Sequence, residues 1–237
     1  MRLDQAIAAR FPDLSRRKAR ELIAAGRVLV NQRAVRVASR FTNPNDELTI
    51  AGELPAIIVI ASSGDWIAVD KPAGMPAQPT RDRATLSLEE ILRIEHREIF
   101  LVHRLDTPTS GVVLFARNRE AAARFSELFA TVAMRKTYLA RVDGAIDADV
   151  TIETPIDGKP ALTIIRPRAK NVVEIEIKTG RTHQIRIHLA SIGHPVSGDR
   201  RYGGSDAPRL MLHAWRLEHE SVGTLEAPPP IHFAGHE

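Results

Sequence analysis

The run His103-Arg104-Leu105-Asp106-Thr107-Pro108-Thr109-Ser110-Gly111 passes directly into the apolar stretch Gly111 to Ala116. A polar, proline-broken segment followed by unbroken apolar residues reads as a loop that delivers one acid, Asp106, to the start of a buried strand. An aspartate in that setting can equally be a turn or capping residue, so the neighbouring segments have to decide. Downstream, Arg119 to Phe129 reads as a helix with Ala122, Phe125, Leu128 and Phe129 on one face. Upstream, Ile57 to Ile60 and Trp66 to Asp70 read as buried strands, and Leu86 to Ile94 as a helix. Lys71 to Pro76 must be a loop, because two prolines and a glycine leave little alternative. Lys136 to Val142, Val172 to Lys178 and Met211-Leu212 with Trp215 supply further strands. Strands outnumber helices and lack a regular βαβ rhythm. The predicted class is therefore α+β, built on a mixed or mainly antiparallel sheet.

The first fifth of the chain reads differently. Leu3, Ile7 and Phe11 repeat every four residues, as on the buried face of a short helix. Ser15 is placed to cap a second helix that runs through Arg16 to Ile23 and stops at Gly26, a residue that tolerates positive φ. Ala19, Leu22 and Ile23 face inward, which leaves Arg16, Arg17 and Arg20 outside. Val28 to Val30, the turn at Asn31-Gln32, Val35 and Leu48 to Ile50 read as short strands. Residues 51–56, opening Ala51-Gly52-Glu53-Leu54-Pro55, read as a linker. The expected organisation is a small module at 1–50 and a body at 57–237.

Charge follows the same division. Residues 1–50 carry 10 Lys+Arg against 5 Asp+Glu, and residues 51–237 carry 23 against 24. All of the surplus of +4 thus comes from the small module, and such asymmetry points to nucleic acid as a partner. A row of arginines on one helix can meet successive phosphates, which supplies affinity and salt dependence but little sequence information. A solvated arginine face is the other reading.

Composition excludes several chemistries. The 237 residues contain no cysteine, so disulfides, cysteine-ligated metals and cysteine nucleophiles are ruled out. No P-loop and no dinucleotide-binding glycine turn is present. His183, His188 and His194 are poorly spaced for shared ligation, and no metal site is expected. The longest apolar run, Ala56 to Ala61, is too short to span a bilayer. The opening residues lack the apolar core of a signal peptide. A cytoplasmic monomer, with nucleic acid as partner and no membrane association, is the expectation.

The segment RLDQAIAARFPDLSRRKARELIAAGRVLVNQRAV resembles the RNA-binding domain named after small-subunit ribosomal protein S-four. It departs at Gln32 and Asn45-Asp46, where such domains usually carry Gly and Gly-Asp. In the body, HRLD followed by TSG at 103–111 resembles the catalytic motif of the RluA-type pseudouridine synthases. DKPAGMPAQP at 70–79, RKTYLARVDG at 135–144, GRTHQIRIHLASIGHPVSGDRRYGG at 180–204 and LMLHAWRL at 210–217 match in order. The resemblance spans about 57 to 233.

It implies that a uridine in RNA is isomerised to pseudouridine with no cofactor and no metal. Asp106 is then the essential carboxylate, acting on the sugar or ring as a nucleophile, or as a base. Arg181 is the cation expected beside it, or else a phosphate contact. Tyr138 is expected to stack on the extruded uracil, its hydroxyl available for proton removal at carbon 5; otherwise it fills the core. Arg104 is expected to help displace the base, Lys136 to bind substrate and Leu212 to line the uracil pocket. His103 and Lys71 read as scaffolding or phosphate contacts. The family includes enzymes for large-subunit rRNA and for tRNA, and the appended basic module favours rRNA. A non-catalytic, ribosome-associated RNA-binding protein that kept the fold is the alternative. The presence of Asp106, Arg181 and Tyr138 together argues against it.

Overall fold

The computed structural model describes residues 1–31, 33–50, 56–80, 86–96, 98–230 and 233. Gln32 and the linker residues 51–55 lie outside the described residues. The chain forms two compact units, Met1–Ala56 with Gln78–Glu98, and Ile57–Ala77 with Ile99–Glu237. Residues 78–98, placed in the body by the sequence reading, thus cluster with the first unit.

The first unit holds α1 (Leu3–Arg10), α2 (Arg16–Ala24), β1 (Val28–Val30), β2 (Arg33–Val35) and β3 (Leu48–Ile50). The strands pair antiparallel in the order β2-β1-β3. Ser15 caps α2 by accepting from the Lys18 amide at 3.2 Å, and Gly26 leaves the helix at φ +68°. Asn31 turns the hairpin at φ +52°, and its side chain bonds Asp46 and the Glu47 amide. Leu3, Ile7, Ala19, Leu22, Ile23, Val28, Val30 and Val35 form the core. The helix α3 (Leu88–Glu95) starts with a capping box between Ser87 and Glu90. Arg36 donates to the Glu90 carbonyl at 2.8 Å, which ties that helix to the hairpin.

The second unit is one ten-stranded sheet. Its strands are β4 (Ile58–Ser62), β5 (Trp66–Lys71), β6 (Phe100–Leu101), β7 (Ser110–Ala116), β8 (Arg135–Arg141), β9 (Val150–Ile152), β10 (Thr163–Ala169), β11 (Val172–Ile177), β12 (Leu212–His219) and β13 (Gly223–Glu226). The order is β4-β5-β7-β12-β8-β11-β10-β9, with β13 beside β12 and β6 beside β7. Every pairing is antiparallel except β7 with β12, in accord with the predicted class. Helix α4 (Arg119–Ala130), capped by Asn118, buries Ala121 and Phe125 against one half of the sheet. Burying a phenyl ring in this way stabilises by roughly 1.5–3 kcal/mol. Helix α5 (Gln184–Ser191) packs Ile185 and Leu189 into the core of the other half.

The parallel pair β7–β12 fixes the place of the loop that carries Asp106. Gly111 stands opposite Ala214 at φ +117°. A Cβ at Gly111 would come within 2.1 Å of the Ala214 carbonyl oxygen, so only glycine permits this approach. The loop from β6 to β7 that carries Asp106 is thereby anchored next to β12 and β8. Among the described residues no helix is long and apolar enough to cross a membrane.

Candidate active site

Asp106 lines an open cleft walled by β8, β12, the end of β11 and the first turn of α5. Its loop is clamped from below. The fully buried Lys71 donates through Nζ to the carbonyls of Pro72, Met75 and Thr107 at 2.9, 2.7 and 3.1 Å. Gly74 adds a backbone bond to Thr107. Burial pushes the Lys71 ammonium down to about 8, partly opposed by Asp106 and Asp70. Lys71 is therefore scaffolding. So is His103, whose Nε2 accepts from the Leu114 amide at 2.9 Å while its ring stacks on Phe129.

The cation beside Asp106 is Arg186. Its Nη1 stands 3.3 Å from Asp106 Oδ2. The other edge of the guanidinium grips Asp199 in a two-point fork, Nε at 2.7 Å and Nη2 at 2.8 Å. Asp199 in turn accepts from the backbone amides of Arg201 and Tyr202. Burial alone raises the Asp199 carboxyl, but Arg186 reverses this and holds it below its ordinary value. The forked pair sets the plane of the guanidinium, so the third donor edge is aimed at Asp106.

This corrects the expectation for Arg181. Arg181 lines the mouth of the cleft, but its Nε donates to the Pro160 carbonyl at 2.9 Å. The reason is the start of α5: Arg181 precedes the helix, whereas Arg186 lies in its first turn and faces inward. A helical reading of Gln184 to Ser191 would have found it. The periodicity was hidden because Gln184, Arg186 and His188 are buried alongside Ile185 and Leu189.

His183 is a site residue to which the sequence reading gave no role. It caps α5 in the left-handed region at φ +55°, a conformation that histidine tolerates better than most residues. Its Nδ1 is 2.9 Å from the Tyr202 hydroxyl and its Nε2 is 3.7 Å from Asp106 Oδ2. Burial lowers its pKa, with Asp106 opposing. A neutral ring that receives the Tyr202 O–H at Nδ1 carries its proton on Nε2 and presents it to the carboxylate. The ring of Tyr202 also packs under the Arg186 guanidinium, 5.1 Å from its centroid. The other two histidines are engaged separately, His188 with Thr163 and the Thr154 carbonyl, His194 with the Asp143 carbonyl.

Tyr138, Leu212 and Ile177 supply the apolar wall. Burial, reinforced by the charge of Asp106, raises the Tyr138 phenol well above its usual range. Tyr138 thus offers a ring face and an O–H donor rather than a phenolate. Arg104 is exposed at the rim. Lys136, two residues before Tyr138 on β8, is buried and lies outside the cleft lining. Burial and the nearby Lys178 charge lower its pKa. In the first unit, Arg16 and Arg20 both bond Asp4, and Arg17 is exposed beside them.

The RNA pseudouridylate synthase family pattern matches residues 65–191, and the S4 domain pattern matches residues 1–48. Together with the cleft, these matches define an isomerase that acts on RNA. An uncharacterised RNA pseudouridine synthase of Aquifex aeolicus is 32% identical, the match covering 89% of this chain and 80% of that protein. The ribosomal large subunit pseudouridine synthase D of Nitrosomonas europaea is 31% identical, with 99% and 83% covered. Among solved structures, human RNA pseudouridylate synthase domain containing 1 superposes with a TM-score of 0.64 at 28% identity, covering 77% of this chain and 86% of that one. The chain belongs to the RNA pseudouridine synthase family, in its RluA-type branch, and carries an S4 RNA-binding domain.

Proposed function

We propose that this enzyme isomerises a uridine in structured ribosomal RNA, with Asp106 as the group that acts on the target nucleotide. The observation that carries the reading is the chain Asp106–Arg186–Asp199, in which one carboxylate fixes an arginine and that arginine holds the other in the cleft. The reaction breaks the bond from the ribose to N1 and forms one from the ribose to C5. N1 ends with a proton and C5 loses one, so atoms and electrons balance within the substrate. No redox partner or group donor is consumed. A base inside a helix cannot reach Asp106, so the uridine has to be extruded. Tyr138 then stacks on it, Leu212 and Ile177 enclose it, and Arg104 occupies the mouth it leaves through.

The rRNA assignment rests on relatives named as large-subunit ribosomal enzymes and on the S4 domain. Two measurements test the proposal. Asp106→Asn abolishes isomerisation while RNA affinity stays within a few fold; a variant that forms pseudouridine at the normal rate overturns the mechanism. Mapping pseudouridine across total RNA with and without the gene shows a missing site in rRNA; a loss confined to tRNA overturns the substrate assignment.

A further inference from the structure

The S4 domain holds a built polar cluster that its helical arginines alone do not explain. Asp4, on the first turn of α1, is 0% exposed. Its carboxylate accepts from three arginines through their Nε atoms: Arg2 at 3.3 Å, Arg16 at 2.9 Å and Arg20 at 2.8 Å. Burial pushes the Asp4 carboxyl up, but the bonds from Arg20 and Arg16 more than reverse this and hold it well below the carboxylate range. One negative charge thus organises three positive ones, and each guanidinium keeps its terminal amino groups uncommitted to Asp4. The three arginines are about half exposed. The result is a preorganised cation cluster with a surplus of two charges.

Beside it stands an aromatic ring with no core to fill. Phe41 is 76% exposed. It pairs with Arg2 in an antiparallel bridge flanked by the bonds Leu3 N to Arg40 O and Thr42 N to Met1 O. Directly opposed residues of this type project their side chains to the same face, with Cβ atoms about 4.5–5.5 Å apart. The exposed ring therefore adjoins the Arg2 end of the cluster, with Arg40 next to it in sequence. An aromatic face adjoining fixed guanidinium donors matches the two halves of a nucleotide, a base to stack and a phosphate to bind.

We infer that Phe41 and the Asp4-held arginines form a subsite for one unpaired nucleotide of the substrate RNA. The base stacks on Phe41 and its phosphate is held by Arg2, with Arg16 and Arg20 taking the strand onward. The subsite rests on the RNA-modifying reading above, and it gives the S4 domain a means to distinguish a loop or bulge from continuous duplex.

The test compares the full chain with Phe41→Ala, Phe41→Trp and Arg2→Ala, all in the Asp106→Asn background so that binding is read without turnover. The probes are a single-stranded oligouridylate and a blunt-ended, fully paired RNA duplex of equal length. Phe41→Ala weakens oligouridylate binding roughly 10-fold, the scale of one base–aromatic stack. It leaves duplex binding and the salt slope unchanged, and Phe41→Trp restores affinity. Arg2→Ala weakens both probes and flattens the slope by roughly 0.7–0.9. An oligouridylate bearing 5-iodouridine crosslinks at Phe41. The subsite is overturned if Phe41→Ala binds both probes like its parent, if it weakens both equally, or if it converts a dimer to a monomer. Failure of all versions to bind RNA overturns the functional reading as well. Normal binding with no isomerisation by the unaltered chain overturns that reading alone.

Discussion

Arg186 reaches Asp106 with Nη1 at 3.3 Å while its other two donor positions hold the buried Asp199 at 2.7 and 2.8 Å. Position and charge are therefore supplied by different partners: Asp199 orients the guanidinium, and the guanidinium acts on Asp106. Lysine can supply the charge but not the fork. Arg186→Lys is expected to lower kcat by about two orders of magnitude with KM changed only a few fold, because the interaction lost is one made with the carboxylate proposed to act on the nucleotide. Arg186→Met should also cost roughly 3–5 kcal/mol in stability, since it leaves Asp199 buried and unpaired. Arg181→Ala, at the mouth, should raise KM and spare kcat. Steady-state kinetics and urea unfolding of the three variants check this. Equal losses of kcat in Arg181→Ala and Arg186→Lys would return Arg181 to the role read for it from sequence.

That exchange of arginines shows where the sequence was legible. The Asp106 loop, β7, α4, the capped α2 and the α+β class could be read because each obeys a local rule: periodicity, a capping side chain or a glycine in its required place. Asp106, Tyr138, Arg104 and Leu212 line one cleft. What escaped notice lies where polar residues are buried. Helix α5 hides its period because three of its inward residues are polar. β10 was obscured by Pro167, which the sheet accommodates with a register shift between Pro167 and Ala169. The Asp4 cluster gathers residues 2, 4, 16 and 20, and no single helical face contains them all.

The pair His183–Tyr202 makes a second prediction. The Tyr202 hydroxyl lies 2.9 Å from Nδ1 and Nε2 lies 3.7 Å from Asp106 Oδ2, so a neutral ring that accepts from Tyr202 turns its Nε2 proton to the carboxylate. Tyr202→Phe removes that donor, so either ring nitrogen can carry the proton. In the tautomer with Nε2 bare, two lone-pair groups face each other. The variant is expected to lose about 10-fold in kcat with KM little changed. A merely structural tyrosine could do the same, so the decisive reading is the ring itself. Nitrogen NMR of His183 should show the Nε2–H tautomer in the parent and a mixture in Tyr202→Phe. An unchanged spectrum would sink the assignment.

His213 makes the third, through pH. Its ring is completely buried. Arg209 Nη1 donates to Ser110 Oγ at 2.9 Å; because the Ala227 carbonyl at Nε2 can only accept, a neutral His213 has Nδ1 bare and takes the Ser110 hydroxyl proton there, also at 2.9 Å. His213 Nε2–H then donates to the Ala227 carbonyl at 3.1 Å. The network needs a neutral imidazole, and burial holds the His213 pKa down to about 4, with Arg209 adding to the effect. The unfolded chain binds its proton near pH 6.5. Between these two values the unfolded state carries the extra proton, so stability rises with pH, and acidification from 6.5 towards 4 removes it. The shift corresponds to about 3 kcal/mol for this one group. His213→Gln can still accept from Ser110 and donate to Ala227, but it cannot titrate. Urea unfolding of the parent and the variant at several pH values should show the parent ahead at pH 7.5 and its lead shrinking by up to about 3 kcal/mol near pH 4.5. Parallel curves would mean that His213 keeps its ordinary pKa. The relay would then be misassigned at the Ser110 proton, and with it the tie between the C-terminal segment and the strand that follows Asp106.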